Sequence, residues 1–174
     1  MVKPLLIKAV ELARKGKALD IGAANGYDSL FLACKGFNVT AVEKDEYLSK
    51  EISDMNLEKI HVFNQNISSF NFEKYTLINC CFVLHFLKNK TRGIIKKIQQ
   101  STAKDGVNVI ITFLNEGEFN NKHEGLLKPN ELKEMYSDWE MIVYAEKFVQ
   151  TKEKNKDGSV KEQKAAFLLA KKSN

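Results

Sequence analysis

A strand that runs into a glycine loop, followed by a second strand that ends on an acid, constrains this chain more than any other feature. The stretch from Ala18 to Gly26 reads ALDIGAANG, and Val39 to Glu43 reads VTAVE after an intervening helix-like segment. In an open α/β sheet, such a first strand delivers backbone amides to a ligand at the start of a helix. The second delivers a carboxylate, here Glu43, roughly 20 residues beyond the loop, the spacing at which an acid meets the ribose hydroxyls of an adenosine-containing ligand.

The loop does not fit the dinucleotide pattern, because Gly22-Ala23-Ala24-Asn25-Gly26 cannot be read as G-x-G-x-x-G. With Asp20 ending the strand, D-x-G-x-x-x-G resembles motif I of the class I S-adenosylmethionine-dependent methyltransferases. Ala24 stands where that family usually has its middle glycine, and its methyl narrows the space between loop and ligand. An ordinary strand-to-helix turn is the plain alternative.

A chain of 174 residues suits one domain, spanning 1–174, with an ample core. No apolar run approaches the ~18 residues expected of a membrane span, and the start, MVKPLLIK, has no small-residue cleavage site. Cys34, Cys80 and Cys81 are odd in number and two are adjacent, so a disulfide framework is not expected and a reducing cytoplasm fits. The net charge of +5 permits an anionic partner. The lysines are mixed with acids along the chain rather than clustered, as solvated surface would be.

The periodicity predicts an amphipathic helix over 4–15 opened by Pro4 and stopped at Gly16, then strand one at Lys17 to Ile21. Asp28 or Asn25 is expected to cap the next helix, which ends at Gly36. Further strands are expected at Asn38 to Val42, Lys59 to Phe63, Tyr75 to Cys81 and Val107 to Phe113, with helices to about Met55, over 90–102, and from Pro129 to about Tyr136. Runs at Trp139 to Phe148 and Ala165 to Lys171 flank a charged, glycine-containing segment and read as an antiparallel hairpin. The fold class is therefore α/β, Rossmann-like, with a mostly parallel sheet covered on both faces. The family resemblance implies seven strands in the order 3-2-1-4-5-7-6.

That resemblance also assigns candidate site residues. The amides of Gly22, Ala23, Ala24, Asn25 and Gly26 would face the methionine moiety and ribose of S-adenosylmethionine, and Asp20 would hold its ammonium or order the loop. Glu43 would take the ribose hydroxyls, with Lys44 beside the adenine. Asn66 and Ile67 occupy the position after strand three that meets the adenine amino group; Asn66 also suits a plain turn. The run from Cys80 to Leu87, CFVLHFL after its first cysteine, would line the methyl-transfer cavity, with Cys81 against the ligand and His85 as a candidate general base. The paired thiols Cys80 and Cys81 could ligate a soft metalloid, although buried cysteines more commonly serve as small hydrophobes. His61 and His123 have no metal-ligand neighbours at useful spacing, and no metal site is expected.

Short segments recurring in order (LDIG from Leu19, NG from Asn25, DSLFL from Asp28, VTA from Val39, FL from Phe86, EL from Glu131, Trp139, YAE from Tyr144 and the tail from Lys156) resemble the tellurite-resistance, TehB-type branch of these enzymes. The likeness covers about residues 17–172. It implies methyl transfer to a small acceptor such as a chalcogen oxyanion or a thiol. That branch carries a histidine and arginines around the final hairpin; an ungapped match places Lys152, Glu153 and Lys164 there. Strand one begins at Lys17, which leaves little room for the branch's amino-terminal cofactor lid. A binding module without turnover and an RNA or protein methyltransferase are the other classes in play, the latter without an Asn-Pro-Pro-Tyr-type motif after strand four. A monomer or homodimer with no membrane partner is expected.

Overall fold

The computed structural model describes residues 3–119 and 125–173; His123 lies outside them. Seven strands form one sheet in the order β3-β2-β1-β4-β5-β7-β6, as the resemblance implied. The elements follow in chain order as α1 (Pro4–Leu12), β1 (Lys17–Ile21), α2 (Tyr27–Cys34), β2 (Asn38–Glu43), α3 (Glu46–Asp54), β3 (Ile60–Asn64) and β4 (Tyr75–Cys81). The second half holds α4 (Thr91–Ser101), β5 (Thr102–Gly117), α5 (Glu131–Met135), β6 (Glu140–Lys154) and β7 (Val160–Lys171).

Strands β3, β2, β1, β4 and β5 are parallel, and β7 pairs antiparallel with both β5 and β6. Two apolar layers hold the sheet between helices, as a parallel sheet buried on both faces requires. One packs Leu19, Ile21, Ile78 and Ile110 against Ile94, Ile95 and Ile98 of α4. The other packs Ala18, Val39, Leu77 and Val109 against Leu6, Ala9 and Val10 of α1 and Leu32 of α2. The central strands carry β-branched and leucine side chains on both faces because both faces are covered.

Three expectations need correction. Neither Asn25 nor Asp28 caps α2: the cap is Gly26 in the left-handed region (φ 76) with no side-chain bond. Asp28 is instead buried and engaged by the ammonium of Lys3. Strand β5 begins at Thr102 rather than at Val107, and its pairing jumps from Tyr75↔Thr102 to Leu77↔Val107 across an irregularity in which Asp105 takes φ 59. The hairpin is longer than its apolar runs suggest, with pairing that continues through Val149↔Gln163 to Lys154↔Val160. The charged residues in those arms alternate with partly buried ones along a twisted ribbon, so apolar content alone underestimates its length.

Candidate functional site

The carboxyl ends of β1, β2 and β4 converge on the loop from Gly22 to Gly26. Gly22 takes φ 69 and donates its N–H to the Val42 carbonyl at 2.8 Å. A Cβ at Gly22 would lie 2.3 Å from Val83 Cγ2, so the segment after β4 closes directly over this glycine. Gly26 (φ 76) turns the chain into α2 against Ile52, where a Cβ would sit 2.9 Å from the Ile52 Cγ1. Ala24 also adopts a left-handed conformation (φ 49), strained for a residue with a side chain.

Glu43, almost wholly buried, braces this loop. Its Oε2 accepts the Ala24 N–H and its Oε1 accepts the Asp45 N–H, each at 2.9 Å. Each carboxylate oxygen retains a further lone pair. Glu43 lies in the wall of a cavity of about 360 Å³ with Gly22, Ala24, Lys44, Asn66, Ile67 and Cys81. Asn66 Oδ1 accepts the Ser68 N–H at 2.9 Å, so the residue forms a turn and lines the cavity at once.

A second cavity, of about 290 Å³, opens on the other side of the loop. Asp20, Ala23, Asn25, Asp28, Asn79 and Lys3 stand in its wall. Asp20 is buried; its Oδ2 accepts the Ser29 hydroxyl at 2.6 Å and its Oδ1 accepts the Asn79 amide at 2.8 Å. Asn79 is the cross-strand partner of Asp20 in the β1–β4 register, and its amide also donates to Asp28 Oδ2 at 3.2 Å. Burial is the main cause that raises the Asp20 pKa to about 6, and the neighbouring Asp28 charge adds to it against the two hydrogen bonds. Burial opposes the charge on Lys3, but Cys81, Asp28 and Asp20 together hold its pKa above the usual lysine value. Asp28 Oδ1 is buried with no hydrogen-bond partner.

The third cavity, of about 430 Å³, lies beyond β4 between Phe82, His85, Phe86 and Phe113 and the β6 residues from Gln150 to Glu153. Phe82 is common to all three cavities. It holds φ 58, a conformation bulky residues rarely adopt, and its N–H is fixed to the Ile111 carbonyl at 2.7 Å. His85 is buried and its ring packs 4.8 Å from that of Phe113.

Most candidate residues thus meet around the loop. Gly26 does not line either loop cavity and acts on the backbone path. Cys80 and Cys81 are separated: Cys80 is buried in the α4-side core, whereas Cys81 packs toward the opposite layer and borders both loop cavities. Successive strand residues point to opposite faces, so the two thiols cannot share one ligand atom. Burial raises both thiols above the usual cysteine range. Of the hairpin positions, Lys152 borders the first and third cavities and Glu153 the third, whereas Lys164 is tied to Glu116 at 2.8 Å and borders none of the three. Lys3, Asp28 and Asn79 were not anticipated as site residues. The one signal for them was Asn79, an amide in the middle of the mostly apolar strand β4.

The model of the tellurite resistance protein TehB family matches residues 2–169. The chain belongs to this family. It is 28% identical over 176 residues to a probable S-adenosyl-L-methionine-dependent methyltransferase TehB from Haemophilus influenzae strain 10810, a match that covers 96% of this chain and 61% of that protein. The crystal structure of TehB from Haemophilus influenzae superposes with a TM-score of 0.88 at 26% identity, over 99% of this chain and 63% of that one. The chain therefore spans about three fifths of the length of these relatives. The N-methyltransferase NodS from Bradyrhizobium japonicum WM9, in complex with S-adenosyl-L-homocysteine, shares the fold at a TM-score of 0.71 and 15% identity, over 98% of this chain and 84% of that one. Within the TehB family frame, the loop, Glu43 and the post-β4 segment are the parts that carry open binding space.

Proposed function

We propose that this chain is an S-adenosylmethionine-dependent methyltransferase that acts on a small-molecule acceptor. The observation that carries the reading is the pair of cavities flanking one loop, with a different acidic group in each. Asp20 and Asp28 in the wall of the second cavity suit an ammonium, and Lys3 beside them suits a carboxylate, the two charges of an amino-acid moiety. Glu43 in the first cavity suits vicinal hydroxyls, with Ile67 and Asn66 placed for a flat base. A cavity wall carrying two carboxylates and one ammonium is matched in charge by a ligand group that carries both signs, so the residues fit the cofactor.

When bound, S-adenosylmethionine supplies an electrophilic methyl on a positively charged sulfur. The chain's own task is placement: Phe82, strained and shared by the three cavities, holds the boundary between cofactor and acceptor spaces. Phe86 and Phe113 would shield the acceptor from water, and His85, in the wall of the same cavity, is the group we assign to take the acceptor's proton. No helix among the described residues is long and apolar enough to cross a membrane. The three free cysteines support a reducing compartment, the cytoplasm.

The test is calorimetric titration with S-adenosylmethionine and S-adenosylhomocysteine, followed by a methyl-transfer screen of small thiol and oxyanion acceptors with labelled cofactor. Micromolar binding with turnover of a small acceptor is expected. Binding without any turnover supports a sensing or scaffolding module instead, and no binding removes the cofactor reading.

A further inference from the structure

Leu77, Asn79 and Cys81 share one face of β4, and Asn79 is almost wholly buried there. An apolar side chain is the usual occupant of such a position, because a buried amide costs free energy unless its hydrogen bonds are met. Both ends of this amide are engaged. Its nitrogen donates to Asp20 Oδ1 at 2.8 Å and to Asp28 Oδ2 at 3.2 Å, and its Oδ1 accepts the Cys81 thiol at 3.2 Å. Ionised carboxylates only accept, so the nitrogen end must face them, and the thiol fixes the oxygen end. The two acids differ in what else holds them. Asp28 Oδ2 also takes the Lys3 ammonium, whereas the donors on Asp20 are neutral, Asn79 on one oxygen and the Ser29 hydroxyl on the other.

We infer that Asn79 is a positioning residue: by donating to Asp20 and Asp28 from one nitrogen, it keeps both carboxylates charged, as a pair that receives one ligand ammonium. This rests on the reading of the second cavity as the amino-acid end of the S-adenosylmethionine site, and it adds a residue that acts through Asp20. Two like charges side by side in a buried wall favour uptake of a proton, which leaves one acid neutral and unable to attract a cation. A hydrogen bond to the charged form opposes that uptake. Burial and the Asp28 charge raise the Asp20 pKa to about 6, and the bonds from Ser29 and Asn79 hold it from rising further. The other titratable groups near Asp20 are Lys3, which favours its charge, and the Cys80 and Cys81 thiols, which burial keeps protonated. The thiols supply no charge and Lys3 is bonded to Asp28, so removal of Asn79 bears on Asp20 first.

The experiment titrates S-adenosylhomocysteine between pH 5 and 8.5 into wild type, Asn79→Leu, Asn79→Ser, and Asn79→Leu combined with Asp20→Asn. The same proteins are unfolded with urea without ligand across that range. A lost hydrogen bond to a charged group corresponds to a shift of about one to two pH units. The pH below which wild type loses affinity, about 6, should move up by that amount in Asn79→Leu. It should move less in Asn79→Ser, whose hydroxyl can still donate to one carboxylate. At pH 7 Asn79→Leu should bind at least about fivefold more weakly, and by pH 8.5 the gap should close to less than about threefold. The double variant should show no such midpoint. Without ligand, the loss of stability with rising pH should continue to higher pH in Asn79→Leu, because the folded pKa then lies further above the unfolded one. A weakening that is equal at every pH means that Asn79 only shapes the pocket and overturns the inference. A midpoint that stays at wild type's value, or persists in the double variant, does the same. If circular dichroism shows that Asn79→Leu does not fold, Asn79→Ser carries both measurements. No binding of S-adenosylhomocysteine to wild type at any pH counts against the cofactor reading, whereas an unliganded unfolding profile unchanged by the substitution counts against Asn79 separately.

Discussion

Glu43 Oε2 accepts the backbone N–H of Ala24 at 2.9 Å, which ties the end of β2 to the middle of the loop after β1. The same carboxylate is the group proposed to meet a ribose, so it would both shape the loop and face the ligand. Glu43→Gln keeps one acceptor oxygen and loses the charge. Loss of a charge-assisted contact is worth ~1.5–3 kcal/mol, so Kd for S-adenosylhomocysteine should rise roughly ten- to a hundredfold by calorimetry. A change below threefold would show that Glu43 serves the loop alone.

Two positions in this loop should respond in opposite directions. Ala24 holds φ 49, and a left-handed conformation costs a residue with a Cβ ~1–2 kcal/mol. Ala24→Gly relieves that strain, offset by the roughly 0.5–1 kcal/mol of extra chain entropy glycine loses on folding, and it widens the gap to the cofactor. Melting should barely shift while affinity for S-adenosylmethionine tightens a few-fold. Gly22→Ala instead drives a methyl to 2.3 Å from Val83 Cγ2, so it should lower the melting temperature and reduce binding together. Equal behaviour of the two variants would contradict this account.

Asp20 gives a pH dependence whose sign differs between folding and binding. Its folded carboxyl holds its proton up to about pH 6, above the 3.8 of an ordinary aspartate, because burial penalises the charge. The folded state therefore binds more protons in between, and stability falls as pH rises from about 4 to about 6. At 1.36 kcal/mol per unit the group accounts for ~3 kcal/mol of that loss. A cationic ligand in the second cavity needs the ionised form, so affinity for S-adenosylmethionine should weaken as pH drops below about 6. Urea unfolding at pH 4.5 and 7 and titrations at pH 5.5 and 7.5 check both slopes, and Asp20→Asn should flatten them. A binding slope that persists in Asp20→Asn would overturn the assignment to Asp20.

The chain's periodicity exposes the sheet well because β1, β2 and β4 are apolar runs bounded by glycine or charge, and Glu43 announces itself as an acid that ends such a run. The rest of the site depends on register. Asn79 reaches Asp20 only because β4 lies beside β1 in phase, and Lys3 reaches Asp28 only because α1 packs near the start of α2. Neither relation has a local pattern. The adjacent cysteines mislead for the complementary reason: neighbours in sequence are on opposite sides of a strand. Lys152, marked only by the family resemblance, lies in a charged stretch that by itself reads as solvated surface, and the fold brings it to the wall of the third cavity.

Lys3 carries the last prediction because it lies among the acids of the second cavity, paired with Asp28. Two roles are separable. As a structural partner it only compensates buried Asp28; as a ligand-facing cation it meets the carboxylate of an amino-acid moiety. Lys3→Met removes the charge and keeps the aliphatic stem. For a ligand-facing role, S-adenosylhomocysteine should bind about tenfold more weakly, whereas 5′-methylthioadenosine, which lacks the α-amino and carboxylate groups, should bind the variant as it binds the wild type. Equal weakening of the two ligands would mean that Lys3 acts by holding α1 against α2. Tighter binding of S-adenosylhomocysteine would mean that its ammonium displaces Lys3 from Asp28.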